Sequence, residues 1–301
     1  MKILITGGTG LIGTEISKQL LEHGHSVVYF SRSPRKNNLG IQEYAWDVDK
    51  GTYDKKAFDG VEAIINLAGA PISERWTAAY KSEILRSRVD ATRVLYTAVQ
   101  KLSLPLNVFV SASAVGYYPN DFNKTYNEDD APGSDFLSLV TQKWEQEAQN
   151  FSKLNIRTVR IRVGVVLSND GGAFPLITKP IKMGLGSPLG SGKQWMSWIH
   201  IKDVAGIFVY ALENKDAQGI YNAVSPEPVT NTQMTEAIAS QLDKPLWLPK
   251  VPEFAIKFAL GEMSTTALGS NKVSSSKVEK SGYSFSFPNL DGALQSLLPK
   301  A

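Results

Sequence analysis

Short runs of apolar residues alternate, through the first half of the chain, with longer stretches in which apolar positions recur at helical spacing. KILIT at 2–6, SVVYFS at 26–31, VEAIINLAG at 61–69, LNVFVSAS at 106–113 and IRTVRIRVGVVL at 156–167 have the length and content of buried strands. Between the first two, Ile12, Ile16 and Leu20 recur every fourth residue and lay one apolar stripe along a helix from Leu11 to His23, which Gly24 stops as a C-terminal cap. Strands that are apolar throughout and separated by helices call for a parallel sheet covered on both faces and wound with right-handed crossovers. After about residue 170 the pattern loosens. Gly and Pro crowd DGGAFPLITKPIKMGLGSPLGSGKQW, which reads as loops and short elements over the carboxyl edge of the sheet. Helices are expected near 201–214, 230–242 and 290–298, with the proline-punctuated PLWLPKVPEF among them. The pattern therefore predicts an α/β, Rossmann-type doubly wound parallel sheet over 1–170. A smaller C-terminal, substrate-side region over 171–301 partly returns to the core sheet.

The junction between the first strand and the first helix reads LITGGTGLIG, where a phosphate-binding turn must sit. Gly8, Gly10 and Gly13 satisfy one glycine spacing, and Gly7, Gly10 and Gly13 another. Either lets the backbone approach a pyrophosphate while the N–H groups opening the helix hold its charge. The second strand runs out into Ser31-Arg32-Ser33, with Arg35 and Lys36 just beyond and no acid at its tip. A carboxylate there would bond the ribose hydroxyls of NAD. An arginine that can fork onto phosphate oxygens, beside a serine hydroxyl, favours NADP(H) instead.

Composition removes several other classes of function. Apolar residues form 43% of the chain and charged residues 20%, as in an ordinary globular protein, and a net charge of +3 is too small to argue for nucleic acid or an anionic membrane. There is no cysteine, and His23, His25 and His200 are the only histidines, so neither disulfides nor a metal site is expected. With no signal-like segment and no membrane-length apolar run, the expected location is the cytoplasm. The expected partner is a small-molecule substrate, and a homodimer is an admissible assembly.

ITGGTGLIG, FSRS, INLAGA, SASAVGYY and WIHIKDVA, in this order, make the chain similar to the extended or atypical branch of the short-chain dehydrogenase/reductase superfamily. More narrowly it resembles the NAD(P)-dependent epimerase family proteins of that branch. The resemblance implies that Thr9, Gly10, Leu11 and Ile12 face the pyrophosphate and that Ser31 and Arg32 meet the adenosine 2′-phosphate. It further implies that Leu67, Ala68 and Gly69 pass beside the cofactor, that Glu83 and Arg88 face it from the next helix, and that Val166 packs near the nicotinamide.

The same superfamily normally transfers its proton through a Tyr-x-x-x-Lys pair, with a serine orienting the carbonyl. Ser113 matches that serine, but SDFLSLVTQKWEQEA has Phe136 or Leu137 where the tyrosine is expected and Val140 or Thr141 where the lysine is expected. No tyrosine anywhere in the chain has a lysine four residues later. Tyr117, four residues past Ser113, is the nearest replacement acid, with Tyr118 beside it; an aromatic wall is the alternative use of Tyr117. On the substrate side, Lys193, Gln194 and Trp195 of GLGSPLGSGKQWMSW offer a charge, an amide and a stacking surface. His200 reads equally as a substrate contact or as a histidine satisfying a local hydrogen bond. Two functions follow as expectations: an NADP(H)-dependent oxidoreductase or epimerase acting on a small polar carbonyl or alcohol, or a non-catalytic NADP(H) sensor.

Overall fold

Ile3, Leu4 and Ile5 have no exposed surface, and neither do Ala63, Ile64 and Ile65, so both runs lie in the middle of a sheet covered on both faces. In the computed structural model, which describes residues 1–299, they are β1 (Lys2–Thr6) and β5 (Ala63–Asn66). The other strands of this sheet are β2 (Ser26–Ser31), β3 (Gln42–Asp47), β4 (Thr52–Tyr53), β6 (Val108–Ala114), β7 (Arg157–Val163) and β8 (Gly219–Ala223). They lie in the order β8-β7-β6-β5-β1-β2-β3-β4, parallel throughout except for the β3–β4 pair. From β1 the chain winds outward through β2 and β3, then restarts at β5 in the other direction. The crevice beyond the carboxyl ends of β1 and β5 is therefore the point where such sheets bind ligands.

Alternate residues of each strand feed two cores. Ile3, Ile5, Ile65, Val110 and Ile161 face α1 (Leu11–Glu22) and α5 (Ile201–Glu213), while Leu4, Ile64 and Phe109 face α2 (Ala78–Leu102) and α3 (Phe136–Gln149). Gly24, at φ +77°, occupies the left-handed position that ends α1. His23 and His25 beside it both bond the Glu213 carboxylate, tying α1 to α5. A third core, built around Phe174, Trp198, Met234, Ile238 and Leu294, holds the C-terminal elements together.

Three elements differ from the sequence pattern. β3 was hidden because it lies near the edge of the sheet, so QEYAWD mixes exposed and buried positions where an inner strand would be apolar throughout. The run at 156–167 is two strands, because at Gly164 the backbone passes between β8 and its neighbours. A Cβ there would sit 2.3 Å from the Ser197 carbonyl oxygen, and Val165–Leu167 peels away to pair with Trp198–His200. The stretch read as loops and short elements contains α4 (Phe174–Lys182), a nine-residue helix that tolerates Pro175 in its first turn and buries Phe174, Thr178 and Ile181 on one face.

His200 is 1% exposed, and its local role is visible in the geometry. Its Nδ1 accepts the Lys202 backbone N–H at 3.2 Å as the N-cap of α5, and its ring lies 3.9 Å from that of Phe287. This is a local hydrogen bond of Nδ1 alone; Nε2 is buried without a partner among the described residues. Asp203, one turn on, accepts the backbone N–H groups of Ser286 and Phe287 and the Tyr283 hydroxyl, clasping the C-terminal segment to α5. Burial lowers the His200 pKa to about 4, so the ring is neutral in the folded chain while the unfolded chain begins to bind its proton near 6.5. Its contribution to stability is complete above pH 6.5 and is lost as the pH falls toward 4. His200→Asn, which keeps a capping oxygen, is expected to flatten the acid limb of a pH–Tm profile between pH 6.5 and 4. The difference should be on the order of 1–3 kcal/mol; equal slopes in the two proteins would contradict this.

Candidate functional site

The glycine turn is shaped by contacts that forbid side chains. Gly7 sits at φ +67°, and a Cβ on it would lie 2.9 Å from the Leu67 carbonyl oxygen. One on Gly13 would lie 2.4 Å from the Gly7 carbonyl oxygen. Gly8 is small for a different reason: the Tyr29 ring would be 2.3 Å from its Cβ, and Tyr29 continues from there to donate a hydrogen bond to Ser17. The spacing that makes the turn is thus Gly7, Gly10 and Gly13, with the Gly10 N–H closing it on Gly7 O at 3.0 Å. α1 starts immediately after, with Gly10 as an N-cap that has no side chain to bond the helix and with no acid in the first turn. The backbone N–H groups of Leu11 and Ile12 and the positive end of the helix dipole are consequently open to an anion. Thr9 and Gly10 are exposed, Leu11 and Ile12 half-buried. A Cβ on Gly172, in the loop that follows Val166, would be 3.4 Å from Leu11, so the turn and that loop face each other across the crevice.

The end of β5 is held by a buried polar chain. Thr6 Oγ1 donates to Asn66 Oδ1 at 2.6 Å, Asn66 Nδ2 donates to Thr92 at 2.9 Å, and Thr6 Oγ1 accepts the Leu67 and Ala68 N–H groups. These bonds fix the backbone of Leu67, Ala68 and Gly69 at the mouth of the crevice. Arg88 reaches the same place from α2: a Cβ on Gly69 would be 2.9 Å from its Cζ. Its guanidinium donates to the carbonyls of Ile84 and Ala70 and lies 5.3 Å from the Trp144 ring; burial, with no carboxylate to offset it, lowers its pKa to about 10. Glu83 is exposed on the same helix. At the end of β2, Ser31 is half-buried and accepts the Ser33 N–H, and Arg32 is exposed beside it.

Ser113 lies at the end of β6, 3% exposed, and its hydroxyl donates to Glu145 Oε1 on α3 at 2.7 Å. Arg162 on β7 forks onto the same carboxylate, Nε to Oε1 at 2.7 Å and Nη2 to Oε2 at 2.9 Å. Its Nη1 donates to the Tyr118 hydroxyl at 2.8 Å, which donates in turn to Asn222 Oδ1 on β8 at 2.8 Å. Burial alone would lower the Arg162 pKa, but the Glu145 carboxylate overrides it and raises it; burial also pushes the Tyr118 hydroxyl up to about 12. Sequence reasoning missed Glu145. The available signal was Arg162 itself, a cation inside a buried strand, which demands a carboxylate from the helix packed on it.

The other expected residues separate into two groups. Tyr117 stands with the Arg162 guanidinium 3.5 Å from its ring centroid and lines a cleft with Arg160 and Gln142, which is the geometry of a wall. The expected tyrosine and lysine positions on α3 are filled by an apolar cluster in which Phe136, Leu137 and Val140 pack with Trp76 and Ile84. In the substrate-side loop, Lys193 is exposed, but Gln194 is 2% exposed and its amide donates to the carbonyls of Leu189 and Ala267. That amide is a strut inside the loop, because the buried carbonyls need a donor. Trp195 donates to the Phe122 carbonyl at 3.0 Å and carries Lys272 over its ring. Among the described residues there is no metal-ligating cluster and no helix long and apolar enough to cross a membrane.

Comparison with known proteins places this site in context. Residues 3–223 match the NAD dependent epimerase/dehydratase family, and residues 251–297 match a domain of unknown function, DUF1731. The Epimerase family protein YfhF of Bacillus subtilis is 38% identical over 99% of this chain and 98% of its own. The human epimerase family protein SDR39U1 (isoform 2), solved with NADPH, is 33% identical with a TM-score of 0.89 over the full length of both chains. A nucleoside-diphosphate sugar epimerase from Corynebacterium glutamicum is 28% identical with a TM-score of 0.81, over 99% of this chain and 58% of that one. The chain belongs to the NAD dependent epimerase/dehydratase family.

Proposed function

We propose that the chain is an NADP(H)-dependent oxidoreductase or epimerase acting on a small polar carbonyl or alcohol. The observation that carries the cofactor assignment is the pairing of a side-chain-free turn at Gly7–Gly13 with an exposed Arg32, and no acid, at the tip of β2. Arg32 and Ser31 would hold the 2′-phosphate, the N–H groups of Leu11 and Ile12 the pyrophosphate, and Leu67–Gly69, Arg88 and Val166 the nicotinamide half. The NADPH bound in the similar human protein supports this reading. When bound, the nicotinamide supplies or accepts a hydride.

What this chain adds is an arrangement for the proton. The one hydroxyl hydrogen of Ser113 is committed to Glu145, whose two oxygens also accept the fork from Arg162. Ser113 therefore offers lone pairs, and it would accept a hydrogen bond from a substrate hydroxyl in place of donating one to a carbonyl. This orients an alcohol and gives its proton a route toward Glu145, while Tyr117 serves as a wall. The apolar cluster at Phe136, Leu137 and Val140 favours a second reading, a protein that binds NADP(H) as a sensor without turnover.

Titration with NADPH and NADH, followed by nicotinamide fluorescence, tests the cofactor assignment. Arg32→Ala is expected to weaken NADPH binding about 10- to 100-fold, the value of a charge-assisted contact, with little change for NADH; equal losses for both would overturn the role of Arg32. A panel of small polar alcohols with NADP⁺, and of the matching carbonyls with NADPH, separates enzyme from sensor. Turnover that falls roughly tenfold or more in Ser113→Ala but less in Tyr117→Phe supports the enzyme. Tight NADPH binding with no turnover of any compound supports the sensor.

A further inference from the structure

The face of the sheet that carries Glu145 holds a second cleft, of about 520 Å³, outside the glycine turn. α3 forms one wall through Gln142, Gln146 and Gln149, the strands β7 and β8 the other through Arg160 and Ile220, and Tyr117 also lines it. β7 presents three arginines, and two are fully employed. Arg157 donates to the carbonyls of Ala211, Leu212 and Ala217, and Arg162 to Glu145, Tyr118 and the Glu128 carbonyl. Arg160 is the exception. It is half-buried, its side chain makes no hydrogen bond or ion pair among the described residues, and its Nε is wholly shielded without an acceptor. Guanidinium donors withdrawn from water without partners are costly, and the group stays a cation at any physiological pH.

The surrounding groups define what would satisfy it. Glu145 is the carboxylate nearest in the network, but Ser113 and Arg162 have claimed its oxygens. Glu128 accepts the Asn222 N–H, and Asp130 pairs with Lys124 at 2.6 Å, which leaves Asp129 exposed on the acidic rim. The amide nitrogens of Gln142 and Gln149 donate to the Gly133 carbonyl and to Ser152 Oγ, so these two residues offer carbonyl oxygens to the cleft. The lining thus sets the unpartnered Arg160 guanidinium, with Lys153 bonded only to Asn150 Oδ1 at the rim, against several acceptors.

We propose that this cleft binds a small oxyanion bearing hydroxyl donors, such as a sugar acid or hydroxy acid, with its charged group forked on Arg160 and its hydroxyls on the glutamine oxygens and Asp129. The site is separate from the glycine turn and does not depend on the cofactor assignment, although Tyr117, Glu145 and Arg162, which also line it, belong to the Ser113 network.

Calorimetry and thermal shift with gluconate, and separately with inorganic phosphate, test the proposal on the full chain, on Arg160→Gln and on Arg160→Lys. Circular dichroism checks that both variants fold. Gluconate is expected to bind the unmodified chain more tightly than phosphate. It should lose about tenfold or more in Arg160→Gln, with Arg160→Lys between, as the charge is kept and the fork removed. Comparing variants on one background cancels any binding of either anion at the glycine turn. Equal affinity in the unmodified chain and Arg160→Gln, or no response to either anion, overturns the site. Phosphate binding as tightly as gluconate overturns the hydroxyl specificity. A concentration-dependent dimer that disappears in Arg160→Gln, without an anion response, shows that Arg160 answers a second copy of the chain and overturns the small-molecule assignment.

Discussion

The fork of Arg162 onto Glu145 is the interaction on which the central part of the molecule depends. Both partners are almost wholly buried, and neither could be tolerated there alone, since an uncompensated buried charge costs about 3–5 kcal/mol. The pair fastens α3 to β7, reaches β6 through Ser113 and reaches β8 through Tyr118 and Asn222. Like the Thr6–Asn66–Thr92 chain at the ends of β1 and β5, it holds strand ends by directed bonds. Ser113 is bonded to this pair, and Tyr117 is stacked on its guanidinium.

The sheet and its crevice were largely legible in the sequence because they rest on short-range rules. Inner strands such as KILIT and EAIIN must be apolar on both faces, and a glycine turn between a strand and a helix has few uses. The Ser31-Arg32 tip was readable for a similar reason, because the sign of one residue at a fixed place carries chemical meaning. β3 escaped because a strand near the edge does not need an apolar pattern. α4 was readable only as one of several short elements, because its prolines obscure a helical pattern, although Pro175 in a first turn costs a helix nothing.

The candidate site was less legible because its partners come from distant parts of the chain. Ser113, Glu145, Arg162 and Asn222 lie on four different elements, and no local spacing links them. Gln194 shows the opposite error: an amide in a glycine-rich loop suggested a ligand contact, whereas the loop's own buried carbonyls had first claim on it. His200 finds the Lys202 N–H and the Phe287 ring around it, while its Nε2 has no partner among the described residues. In each case the deciding factor is which acceptor or donor the fold brings near, a question of tertiary geometry that residue type leaves open.

β8 pairs along its whole length, Gly219 to Ala223, with Val159–Val163 of β7, yet more than fifty residues separate the two strands. During synthesis, β7 must therefore wait with a bare edge, and the Tyr118 hydroxyl without its Asn222 acceptor, until most of the chain has emerged from the ribosome. An unpaired edge is a template for mispairing, and long-range closure is slow. The nascent chain is accordingly at its most aggregation-prone just before Ala223 arrives, and assembly of the sheet is completed late by a segment that lies beyond the nucleotide-binding half.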